Sequence, residues 1–73
     1  MYDLVGVDGN AFSVMAYVVK AMRREGFSSA SIAEYKKAAM SSGYDNLIAE
    51  SVKYIDMCNE RAGYDEDEDE EEG

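Results

Sequence analysis

Hydrophobic and polar positions divide the chain into three helical stretches, with a short β-favouring segment before them and a run of carboxylates after them. The densest apolar stretch is Ala11 to Met22, where ten of twelve residues are apolar or aromatic and only Ser13 and Lys20 interrupt. A surface helix of a small monomer shows one apolar stripe roughly 100° wide. A helix that is apolar nearly all round needs cover on nearly all sides, which predicts that this one is the shared core of a homo-oligomer. Its ends are well signalled: Asn10 suits the N-cap, while Arg23-Arg24-Glu25 puts cations in the last turn with Gly26 behind them. The first helix is therefore expected over about 11–25.

Ser28 opens a second helix over about 29–41, with Ser31-Ile32-Ala33-Glu34 as an alternative capping box. Its narrow apolar stripe is Ile32, Tyr35, Ala39 and Met40, and Ser42-Gly43 ends it. Asp45 is read as the cap of a third helix over about 46–60. That helix places Ile48, Val52, Ile55 beside Leu47, Ser51, Tyr54, Cys58 on adjoining rows. Residues 2–7, Tyr-Asp-Leu-Val-Gly-Val, favour β structure but have no partner strand in this sequence. They are expected as an extended arm, lying on a neighbouring helix or pairing with another subunit. The fold class is thus all-α: a compact three-helix protomer with a short extended N-terminal arm, assembled into a homo-oligomer. Residues 1–62 form the helical domain, and 63–73 a disordered acidic tail.

Length supports the oligomer. A domain of about 60 residues buries only about 60% of the surface its unfolded chain exposes, and so needs disulfides, a metal or self-association. One cysteine and no histidine exclude an internal disulfide and disfavour a closed zinc site. Cys58, among apolar residues, reads as a buried reduced thiol. No cofactor is implied.

The net charge of −9 changes meaning once it is divided. Asp65 to Glu72 are eight consecutive carboxylates, leaving eight acidic against seven basic residues, a net of −1, on the rest. The start, Met1-Tyr2-Asp3-Leu4, lacks a basic segment leading into a long apolar one, and no run reaches the roughly 18 residues of a membrane span. A cytoplasmic protein with no membrane partner is expected.

Without histidine, the usual nucleophile–base pairs and histidine general bases are missing, so an enzyme is not expected. Asp65-x-Asp67-x-Asp69 starts like an EF-hand loop but has Glu70 where that loop needs glycine. Gly6-x-x-Gly9 has the spacing of a backbone-clamping loop, yet Asp8 sits inside it. With no basic surface apparent, genomic DNA and long RNA are not expected partners.

The candidate chemistry lies on the first helix. Ser13, Tyr17, Lys20 and Arg24 recur at i, i+4, i+7 and i+11 and so line one side. A hydroxyl, a ring and two cations suit a ligand with bases to stack and phosphates to bind. The backbone amides of Ala11, Phe12 and Ser13 at the helix N-terminus add an anion-binding end. The bland alternative is that this stripe is simply the solvent-facing side.

Gly9-Asn10-Ala11-Phe12, followed by Met15, by Ala21-x-Arg23-x-x-Gly26 and by Ser42-Gly43-Tyr44-Asp45, resembles a family of very small phage and prophage proteins over about residues 4–57. That family is in turn similar to viral sponge proteins, which oligomerise and sequester the cyclic oligonucleotide signals of bacterial CBASS immunity. The resemblance implies intersubunit pockets, a cyclic di- or trinucleotide ligand, an infected bacterial host cell, and Asn10, Phe12, Tyr44 and Asp45 as pocket builders. The acidic tail departs from the family's pattern. It keeps a different function open: a protein-binding inhibitor or nucleic-acid mimic in which the carboxylate run imitates a row of phosphates.

Overall fold

The computed structural model describes residues 1–63. Among them the chain forms three α-helices and no strand: α1 Ala11–Arg24, α2 Ser29–Ala39 and α3 Tyr44–Ala62. The acidic tail expected at 63–73 and the aspartates of the EF-hand-like spacing lie, from Tyr64 on, outside the described residues.

Local chemistry explains each boundary. The Asn10 side chain accepts the Ser13 amide at 2.9 Å, and Ser28 caps α2 by accepting the Ser31 amide at 3.1 Å. The Ser31 alternative is not used. After α1 the amides of Gly26 and Phe27 return to the carbonyls of Arg23 and Met22, with Gly26 at φ 82°. This paired return needs a left-handed residue that glycine adopts without strain.

α2 stops at Ala39, two residues before its expected end, and Met40 is the C-cap. Asn46 closes this end from α3, donating its Nδ2 to the Ala38 carbonyl at 2.8 Å. Met40, placed by periodicity on the buried stripe, is 62% exposed because the helix no longer directs it inward. α3 begins at Tyr44, with Gly43 as a cap that supplies no side-chain bond. Asp45 is therefore not the cap; its carboxylate sits in the first turn, where the helix dipole favours it.

α3 packs on both other helices and closes the core between them. Val14, Val18, Val19, Ala21 and Met22 of α1 meet Ile32, Tyr35 and Ala39 of α2 and Leu47, Ile55 and Cys58 of α3. Fully burying aliphatic side chains of this size contributes about 1.5–3 kcal/mol each. Tyr35 has no exposed surface, and its hydroxyl is satisfied by the Ser51 hydroxyl at 2.7 Å. Its ring meets Tyr54 at 5.1 Å between centroids. Val52, expected on the buried face, is 45% exposed and belongs to the side of α3 facing the arm.

The arm covers part of the apolar surface of α1. It folds back on its own protomer, with Tyr2, Leu4 and Val7 packed against the core. Asn59 holds it as a strand partner would: Oδ1 accepts the Tyr2 amide at 2.8 Å and Nδ2 donates to the Tyr2 carbonyl at 2.9 Å. A turn from Leu4 to Val7 then reverses the chain, with Gly6 at φ 94°, the sign a type II turn requires at its third residue. The N-terminal arm is thus a cover for α1 and α3 within one chain. No helix among the described residues is long and apolar enough to cross a membrane.

Candidate functional site: two grooves flanking α1

The nine residues singled out from the sequence do not form one cluster. The two short motifs meet at one end of the bundle, where the Tyr44 hydroxyl donates to the Gly9 carbonyl. There Ala11, Ala39, Met40, Ser42, Gly43, Tyr44 and Leu47 surround a shallow depression of about 280 Å³. Asn10, Phe12, Tyr44 and Asp45 are all exposed around this end, Phe12 by 84%. The helix N-terminus is less open to an anion than its sequence suggests. Its Ser13 amide is already taken by Asn10, and the Asp8 carboxylate stands at 3.4 Å from the Asn10 amide.

The polar stripe faces a different direction. Tyr17, Lys20 and Arg24, with Ala21 beneath them and Met1 and Tyr2 from the arm, line a groove of about 260 Å³. Ser13 is not part of its lining. The arm fixes this groove from one side: the Tyr17 hydroxyl accepts the Asp3 amide at 2.9 Å, and the Tyr2 hydroxyl donates to Glu25 Oε2 at 2.5 Å. That bond, with burial and the carboxylate's charge behind it, pushes the Tyr2 phenol up to about 12. Tyr2 is thus a neutral donor at ordinary pH and anchors the wall.

On the other flank of α1 lies a groove that sequence reasoning missed. Phe12, Met15, Ala16 and Val19 form its floor, and Lys20, Arg23 and Lys36 its rim, enclosing about 490 Å³. Phe12, Ala16, Val19 and Arg23 have the same i, i+4, i+7, i+11 spacing as the stripe, so half of this groove was visible in the pattern. Lys36 was not, because only the packing of α2 beside α1 brings it there. Lys20 borders both grooves.

Charge is segregated by helix. Five of the chain's seven cations, Lys20, Arg23, Arg24, Lys36 and Lys37, fall on α1 and α2, whereas α3 carries Asp45, Glu50, Asp56 and Glu60 against Lys53 and Arg61. Lys53 is ion-paired with Glu50 at 3.9 Å, and the Arg61 guanidinium stacks on Phe27 at 4.4 Å. Among the described residues, Lys20, Arg23, Arg24 and Lys36 join no ion pair. The basic surface missing from the composition is made by the fold, along both grooves beside α1. It can hold phosphate or carboxylate groups.

Other candidate chemistry is closed. Cys58 is free and fully buried; burial, reinforced by Glu25, pushes its thiol up to about 11, so the reactive thiolate is suppressed. Among the described residues no three histidine, cysteine or carboxylate side chains converge as a metal site would require. Comparison of the chain with protein-family models, curated proteins and solved structures returned no match.

Proposed function

We propose that this is a phage-encoded, non-catalytic anti-defence protein that binds and sequesters a cyclic di- or trinucleotide immune signal in pockets between copies of itself. The observation that supports this most is the grouping of Tyr17, Lys20 and Arg24 in one groove, with both cations outside any ion pair among the described residues. A phosphodiester ring needs cations for its phosphates and an aromatic surface for its bases. The motif resemblance points to the same ligand.

Volume argues for a second copy. Ligand sites of drug-sized molecules measure about 300–1,000 Å³, and the stripe groove is smaller and open. A neighbouring protomer would supply the missing wall and exclude water, strengthening each charge-assisted bond. The exposed Phe12, Met40 and Tyr44 offer apolar surface for that contact. Sequestration is stoichiometric, so nanomolar affinity, about −12 kcal/mol, suffices to deplete a scarce signal.

The test is calorimetric titration with cyclic di- and trinucleotides. Lys20→Ala should abolish binding while Tyr17→Phe, which keeps the ring, retains it. Equal binding by wild type and Lys20→Ala removes the groove as the site. Replacing the carboxylates of Asp65 to Glu72 by amides separates this function from a tail-borne mimic: a sponge keeps its binding and its anti-defence effect, and a mimic loses the effect.

A further inference from the structure

The second groove shares Lys20 and Phe12 with the function proposed above, but its other cations, Arg23 and Lys36, are not used there, and its chemistry fits a segment of the same chain. We infer that the carboxylate run Asp65 to Glu72 docks on this cationic rim of its own protomer.

Charge complementarity is the first support. Three cations outside any ion pair among the described residues face one open groove, and the chain carries eight consecutive carboxylates. The folded remainder is nearly neutral overall, but α1 and α2 concentrate its positive charge, so the attraction is directed to this flank.

Reach is the second support. α3 ends at Ala62, and its last turn lies beside the turn that follows α1: Arg61 stacks on Phe27 and comes near Gly26. Arg23 and Arg24 are in the last turn of α1, so the chain leaves the helical bundle close to the cationic end of the groove. The ten residues 64–73 can span roughly 33 Å when extended. The groove from Arg23 back to Phe12 spans eleven steps along the helix, about 16 Å. The carboxylates therefore reach Arg23, Lys20 and Lys36 without strain on α3.

Docking depends only on this complementarity. If the nucleotide also binds as proposed, the tail shares Lys20 with it and acts as a built-in competitor for anions.

The test uses the full chain with Gly73→Cys, labelled with a nitroxide at the introduced thiol; buried Cys58 resists the reagent. In ¹⁵N spectra at low salt, amides of α1 near Lys20 and Arg23 and of α2 near Lys36 should broaden selectively. At 1 M salt, where the screening length falls to about 3 Å, the broadening should vanish. The exposed-site variant Lys20→Glu/Arg23→Glu/Lys36→Glu should abolish it, and Lys53→Glu should not. Broadening confined to the end of α3, broadening unchanged in the triple variant, or broadening seen only between labelled and ¹⁵N copies mixed together would overturn docking on the own protomer. None of these readouts involves a nucleotide, so they stand or fall separately from the sponge function.

Discussion

The two flanks of α1 share Lys20 and differ in almost everything else. One is held by the arm through the Tyr17–Asp3 and Tyr2–Glu25 bonds, is small and has a polar rim. The other is larger, has an apolar floor, and leaves Phe12 84% exposed. An apolar helix thus needs cover, but the same chain provides part of it. What remains exposed on this flank is Phe12 and Ala16, with Met15 half-buried between them.

Alkaline pH should affect the held flank most. Tyr2 and Cys58 keep their protons up to about 12 and 11 in the fold, against 10.0 and 9.0 ordinarily, and burial raises Tyr35 as well. The unfolded chain releases these protons first. Stability is therefore fully present below about pH 9 and declines as pH rises through the folded values. Thermal unfolding followed from pH 7 to 11 should show a plateau and then a fall; a midpoint constant to pH 11 contradicts the joint raising of Tyr2 on the arm and of Cys58 and Tyr35 in the core.

Asn59→Ala removes both bonds to the Tyr2 backbone and should cost about 2 kcal/mol, roughly 10 °C in a domain of this size. Amide exchange should rise across residues 1–9 together. Tyr17→Phe, which strands only the Asp3 amide near solvent, should cost about 1 kcal/mol or less and loosen the arm locally. On the open flank, Phe12→Ala should change the unfolding free energy of the protomer by no more than about 0.5 kcal/mol, yet weaken self-association in sedimentation. A large loss of protomer stability from Phe12→Ala would show that the two flanks are not distinct.

Much of the fold was legible because it is written locally. Asn10 and Ser28 act as caps where the sequence places them, and α1 ends through backbone bonds from Gly26 and Phe27 to residues three and five positions back. The start of α3 was misplaced because an acid near a helix N-terminus looks the same whether it caps the helix or sits in its first turn. Asp45 does the latter. The arm's landing was not legible, since Tyr2 is held by Asn59 across 57 residues and by Glu25 across 23. No spacing rule joins such positions. The same holds for the site: helical periodicity finds Tyr17, Lys20 and Arg24, but only packing adds Tyr2 to one groove and Lys36 to the other.

Copies of this protein are proposed to close a cationic groove over a cyclic nucleotide. Native mass spectrometry of the purified protein, with and without a panel of cyclic di- and trinucleotides, tests it most directly by reporting subunit number and bound mass together. The predicted result is a homo-oligomer that gains a fixed number of nucleotide masses per assembly and loses them in Lys20→Ala. A monomer that takes up none of the panel would contradict it.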